Sequence, residues 1–158
     1  VIKNKMDIIK GQYNFKKDIC TGTIGEDEII NYMKNLGYDF IEKNHDYKYD
    51  LKMLYNKTNK IYTYEIKTDV YPKDTGNIVI EFESRNKPSG IAATEADYFV
   101  TYFKHFGEIW NISTNKLKLM ISYLNPIIYE NSGDLGSNTK LYCFKKKEVS
   151  EYFKIHKI

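Results

Sequence analysis

Residues 50–68 constrain the fold most. Asp50–Tyr55 (DLKMLY) and Ile61–Thr68 (IYTYEIKT) both alternate, and Asn56–Lys60 (NKTNK) between them is polar and turn-rich. Alternation with a period of two predicts strands, and the short polar link predicts a hairpin. Successive strand side chains point to opposite faces. Leu51, Met53 and Tyr55 therefore share an apolar face and leave Asp50 on the other. Glu65 and Lys67 share a face, with Tyr64, Ile66 and Thr68 opposite. Paired as a hairpin, the two runs set Asp50 beside Glu65. Two carboxylates that close repel unless a cation lies between them. Hard oxygen donors with no nearby His/Cys set favour Mg²⁺ or Mn²⁺ over Zn²⁺. An acid, one spacer and a lysine on a strand, with a second acid on the strand before, is one way to build a metal-dependent phosphodiesterase site.

The flanking sequence surrounds this hairpin with further elements. Residues 1–19 are basic and weakly patterned, a short helix over Met6–Lys10 or an irregular arm. Thr23-Ile-Gly-Glu26 fits a capping box, so a helix is expected from Thr23 to about Leu36, stopped by Gly37. Tyr38–Lys43 is a first strand, followed by the hairpin and by Gly76–Glu83 as a fourth strand. Ser89–Ala96 is expected as a short helix, then Tyr98–Phe103 and Glu108–Ile112 as strands. Thr114–Leu124 has helical spacing, Asn131–Asn138 is a loop, Lys140–Phe144 a strand and Glu148–His156 a terminal helix. The order αβββ, then αβ, implies an α/β fold with a mixed central sheet flanked by helices. One domain is expected over 1–158, with its core at about 20–103 and a C-terminal elaboration of extra strands and helices at about 104–158.

Charge narrows the partners less than the hairpin does. The 24 basic and 21 acidic residues give +3, too mild to mark a nucleic-acid binder by itself. Only Arg85 among the basic residues is an arginine. With abundant Asn, Ile and Tyr, this composition matches translation from an AT-rich genome, so lysine number says little. A guanidinium forks onto phosphate where an ammonium cannot, so Arg85, Lys87 and Ser89 in the polar loop 84–90 are candidate nucleic-acid contacts. Ser89 is also a candidate cap for the helix after it. Lys145–Lys147 is a small basic run, expected as solvated surface or a DNA-backbone contact. No apolar run is long enough to span a membrane, and no secretory signal is evident. Cys20 and Cys143 lack CxxC spacing and are expected as reduced thiols. These features imply an intracellular protein of the cytoplasm, the nucleoid or a virus-infected cell.

Asp50, Glu65-Ile66-Lys67 and Gly22-Thr-Ile-Gly-Glu26 together resemble the PD-(D/E)XK nuclease superfamily, which includes restriction enzymes and archaeal-type Holliday junction resolvases. The resemblance covers roughly residues 20–103, although Tyr49 stands where the motif's proline would precede Asp50. It implies a restriction-endonuclease-like αβββαβ core. It also implies Mg²⁺ held by Asp50, Glu65 and the Ile66 carbonyl, with Lys67 positioning or activating the attacking water. A glutamate from the first helix is often added; Glu26 shares a helical face with Ile29, Ile30 and Met33 and is favoured over Glu28. The stretch from Ser89 to Tyr98 is similar to a segment of phage- and virus-type members, with Asp97 structural.

The resulting expectation is a metal-dependent DNA endonuclease, a homodimer if it cuts both strands, of resolvase or virus and mobile-element type. Other readings are a catalytically silent DNA-binding module of the same fold, or an interaction protein whose Glu-x-Lys is an ordinary solvated strand face. Glu81 either borders the metal site or belongs to a half-exposed strand. His45, His105 and His156 are scattered and suggest no metal site.

Overall fold

A computed structural model describes residues 15–133 and 135–158, with backbone alone for 15–21. The elements are α1 (Phe15–Asn35), β1 (Tyr38–Lys43), β2 (Leu51–Tyr55), β3 (Lys60–Asp69), β4 (Asn77–Ser84), β5 (Lys87–Pro88), β6 (Tyr98–Phe103), β7 (Glu108–Ser113), α2 (Thr114–Leu124), β8 (Ile127–Ser132), β9 (Thr139–Lys145), α3 (Lys146–Val149) and β10 (Lys154–Lys157). The alternating runs form the expected antiparallel meander, Tyr38 opposite Tyr55 and Leu51 opposite Tyr64. β6 joins β3 in parallel, from Tyr64 opposite Tyr98 to Asp69 opposite Phe103. The central sheet is mixed, ordered β1-β2-β3-β6-β7-β10.

Both faces of this sheet are covered. On one, Ile29, Ile30 and Met33 form the apolar stripe of α1. They close on Leu51, Met53, Tyr64, Ile66, Val100 and Tyr102. On the other, Phe99, Phe103, Trp110 and Ile112 meet Ile78 and Ile80 of β4, Phe144 of β9 and Leu117 and Met120 of α2. Two-sided burial is why β6 (YFVTYF) is almost continuously apolar. Asp97 locks the start of β6 to β3: its Oδ2 accepts from Thr63 N (2.9 Å) and Oγ1 (3.1 Å), and Thr63 Oγ1 accepts from Asp97 N at 3.0 Å.

Several expectations are corrected. β4 is a strand, but it belongs to a second, four-stranded sheet ordered β5-β4-β9-β8. Alternation reports a half-buried strand, not which sheet holds it. The face opposite α1 is thus covered by this sheet together with α2, not by helices alone. The helix expected over Ser89–Ala96 is a single 3₁₀ turn at Gly90–Ala92, which enters at Gly90 with φ +49°. The terminal helix over Glu148–His156 is instead α3, a 3₁₀ turn at Ser150–Tyr152 and β10, which completes the edge of β7 from Lys154–Asn111 to Lys157–Glu108. An open sheet edge overrides the local helical spacing there. β8 runs into the loop expected at Asn131–Asn138, taking Asn131 and Ser132, and pairs with β9 from Ile127–Cys143 to Ser132–Thr139. The short helix or arm expected over Met6–Lys10 lies outside the described residues, as does the Cys20 side chain.

The capping-box reading also fails. α1 is already helical at Phe15, so Thr23 and Glu26 lie inside it, while Gly37 closes it with φ +89° and its N–H on Lys34 O (3.1 Å). The close approach of α1 to the sheet is made by Gly25, not by the motif's Gly22. A Cβ on Gly22 would meet nothing within 4 Å, whereas one on Gly25 would lie 2.1 Å from Thr68 Oγ1. Gly25→Ala should therefore destabilise by about 1–3 kcal/mol through overpacking, despite the ~1 kcal/mol that alanine gains in a helix. Thr68→Ala should recover part of that loss. Chemical denaturation of the two single variants and the double variant tests this; purely additive effects would refute the contact.

Candidate active site

The hairpin pairing ends at Leu51–Tyr64, and Asp50 sits just beyond it. Its backbone is held on both sides: Asp50 N–H donates to Tyr64 O (2.9 Å) and Asn44 N–H donates to Asp50 O (2.8 Å). The preceding turn is clamped at Lys48 O, which accepts from Glu95 N (2.8 Å) and Thr94 Oγ1 (3.0 Å). With no further β2 residue to pair, the Asp50 side chain reaches across to β3. Ile66 N–H donates to Asp50 Oδ2 at 2.6 Å.

Glu65 and Lys67 share a face of β3, as alternation requires. The Lys67 Nζ lies 2.8 Å from Glu65 Oε1, with the lysine side chain 40% exposed and the glutamate side chain 8%. Burial, then the neighbouring charge of Glu65, pushes Asp50 up to about 6, against the pull of Ile66 N–H and Lys67; Glu26 adds a smaller upward push. For Lys67, burial acts to lower the pKa, but Glu65, Asp50 and Glu81 outweigh it and the net shift is upward. These carboxylates therefore favour the ammonium form of Lys67.

The helix glutamates go to different partners. Glu26 Oε2 pairs with Lys43 at 3.1 Å, and Lys43 also holds Asp27 at 2.8 Å. The field of Glu26 reaches Asp50, but its carboxylate is drawn aside. Glu28 pairs with Lys104 at 2.5 Å. Among the described residues no three His, Cys, Asp or Glu side chains converge closely enough to hold a metal between them. The donor set is Asp50 and Glu65, two largely buried hard-oxygen groups that repel. That set fits a hard divalent cation whose remaining ligands are backbone oxygen and water.

Sequence reasoning left Glu81 open, and in the structure its charge reaches Lys67. A bulge in β4 sets Glu81 and Glu83 against consecutive β9 residues, Leu141 and Lys140. Gly90 packs on this point; a Cβ there would lie 2.3 Å from Glu81 O. The Ser89 hydroxyl donates to Glu81 Oε1. Ser89 was expected to cap the next helix, yet its side chain makes no capping bond; its hydroxyl is committed to Glu81. Arg85 and Lys87 lie at the β4–β5 hairpin, where Arg85 (φ +53°) and Asn86 (φ +58°) form the turn. Arg85 N–H donates to Ser137 O at 2.6 Å. His45 lies between β1 and β2, His105 in a 3₁₀ turn, and His156 against the Tyr32 ring.

No family model and no curated protein sequence matches this chain. Among solved structures, a bacterial homing endonuclease superposes with a TM-score of 0.49 at 19% identity, over 65% of this chain and 70% of that one. No helix among the described residues is long and apolar enough to cross a membrane.

The raised Asp50 has a thermodynamic consequence. Its folded-state value of about 6 lies above the ordinary 3.8. The folded state thus binds more protons between those values, and stability falls as pH rises through that window. Asp50→Asn keeps an acceptor for Ile66 N–H and removes the charge. In EDTA it should raise the melting temperature at pH 7.5, by roughly 2–4 °C for each kcal/mol of repulsion relieved, with the gain vanishing near pH 4. Melting curves across pH check this; a gain independent of pH would show that charge is not the cause.

Proposed function

We propose that the protein is a metal-dependent DNA endonuclease, with Mg²⁺ as cofactor and Mn²⁺ as a substitute. The observation that carries this reading is the side-chain bridge from Asp50 to Ile66 N–H, which sets a raised carboxylate beside the Glu65–Lys67 pair. Asp50 and Glu65 would hold the cation, with the Ile66 carbonyl as the expected backbone ligand. When bound, the cation polarises the phosphate and acidifies a water. Once Glu65 turns to the cation, the Lys67 ammonium faces the substrate. Its charge then orients the water and offsets the negative charge that develops on phosphorus-bound oxygen. Glu26, paired with Lys43, would act only at a distance or through water. Cleaving both strands of a duplex would take two copies, so a homodimer belongs to this proposal.

One observation favours a second reading, a catalytically silent DNA-binding module: Glu26 goes to Lys43, and among the described residues no third acid joins Asp50 and Glu65 closely enough to hold a metal. Incubation with linear duplex, single strand, flap and four-way junction, each with Mg²⁺, Mn²⁺ or EDTA, separates the two. The nuclease reading expects metal-dependent cleavage that Asp50→Ala and Glu65→Ala abolish and that Lys67→Ala reduces at least ~10²-fold. Preference for the junction would identify a resolvase. Binding of DNA without cleavage, and without calorimetric Mg²⁺ binding, would establish the silent module.

Metal affinity should also depend on pH. A carboxylate must lose its proton to bind a cation. With Asp50 held near 6, Mg²⁺ affinity should fall about tenfold per unit below pH 6 and level off above pH 7. Calorimetric titrations between pH 5 and 8 check this; a flat profile would remove Asp50 from the ligand set.

A further inference from the structure

A groove of about 450 Å³ opens beside Lys67, lined by Lys67, Val70, Tyr71, Pro72, Val79 and Thr101 among others. Its volume falls within the range of small-molecule sites. Its chemistry is divided. At one end stands the Lys67 ammonium, 2.8 Å from Glu65. Beside it in the sheet, Thr101 pairs with Lys67; it is buried, and its Oγ1 has no hydrogen-bond partner. The outer wall is apolar yet exposed: Tyr71 keeps 46% of its surface, Val70 42% and Val79 41%.

That wall is held in place. Tyr71 N–H donates to Asp69 Oδ1 at 2.8 Å, an Asx turn that carries the chain out of β3. Asp74 Oδ1 accepts from Gly76 N (2.8 Å) and from Lys146 Nζ (3.2 Å). Lys146 N–H donates to Gly76 O at 2.9 Å, and its ammonium lies 3.7 Å from the centre of the Phe103 ring. Lys146, in the run expected as solvated surface or a DNA-backbone contact, is a half-buried pin with its side chain 12% exposed.

A sugar–phosphate rail alone would call for cations along the groove, which Val70, Tyr71 and Val79 do not supply. A nucleoside has flat apolar faces, and its phosphate carries the charge. We propose that this groove seats one unstacked nucleotide of the DNA strand being cut, its base against Tyr71 and its phosphate at Lys67. This rests on the nuclease reading above and specifies the substrate that the site takes: DNA with an unpaired or readily unstacked nucleotide at the cleavage point.

Fluorescence anisotropy with a labelled single-stranded 12-mer and its fully paired duplex, in Ca²⁺ at several salt concentrations, tests the proposal. Tyr71→Ala should weaken single-strand binding roughly 5- to 150-fold, the loss of one base–aromatic stack. Tyr71→Phe, which keeps the ring, should bind as wild type. The salt dependence should be the same for all three proteins, since no phosphate contact is lost. Wild-type affinity in Tyr71→Ala, or a changed salt slope, overturns the proposal. If Asp50→Ala then still abolishes metal-dependent cleavage, the nuclease reading survives that failure. If the wild type neither binds nor cuts DNA, both fall.

Discussion

The hydrogen bond from Ile66 N–H to Asp50 Oδ2 is the contact on which the rest of the site depends. It forms because the β2–β3 ladder stops one residue short. Beyond the last pair, Leu51–Tyr64, Asp50 N–H still reaches Tyr64 O, but Ile66 N–H takes the Asp50 side chain in place of a strand carbonyl. A buried backbone donor needs an acceptor, and here an aspartate supplies it, bringing its charge to the one residue between Glu65 and Lys67. The clamp at Lys48 O by Thr94 and Glu95, and the lock of Asp97 on Thr63, hold the two strands at this divergence. Both come from the segment before β6, so the parallel β3–β6 pairing and the placement of Asp50 are one structural event.

This explains what could be read from the sequence. The meander β1–β3 and the shared face of Glu65 and Lys67 follow from alternation within short runs, and neighbouring strands need only a local turn. Gly37 and α2 follow from equally local signals, a left-handed terminus and helical spacing. The assignment of β4 to a second sheet, β10 to an open edge and Gly25 to Thr68 depends on partners far away in the chain. No local period encodes them. α1 shows the limit from the other side: Thr23 and Glu26 have the composition of a helix start, but the residues from Phe15 onward are already helical and the signature loses its meaning. Glu81 could have been singled out by its two neighbours in the turn, Ser89 and Gly90, but only a bulge aims it at Lys67, and a bulge leaves no period to read.

The electrostatics of the cluster are unbalanced as it stands. Asp50 and Glu65 share one lysine, Lys67 answers to Glu81 as well, and burial disfavours the charges of Asp50 and Lys67. A structural ion-pair network would match cation to anion. Here three carboxylates act on a single ammonium, and Asp50 is left with a pKa near 6 instead of a stable partner. Elsewhere the charges are matched: Glu42 with Lys52, Glu83 with Lys140 and Glu28 with Lys104. Where strands β2 and β3 part, three carboxylates instead share the field of one ammonium.

Strain of this kind persists only where the surroundings over-determine it. The apolar cluster under α1 holds β3 through Tyr64 and Ile66, and the cluster between the sheets holds the neighbouring β6 through Phe99 and Phe103, so the backbone that carries Glu65 and Lys67 is fixed beside Asp50. The second sheet has a further role. It packs on β6, next to the strand that carries Glu65 and Lys67, supplies the Glu81 charge that acts on Lys67, and, with Val79, lines the groove into which Lys67 opens. A single sheet backed by α1 would leave the face of Glu65 and Lys67 in water, where the carboxylates would neither repel strongly nor grip a cation. The second layer therefore adds a third negative charge, that of Glu81, to the field around Lys67.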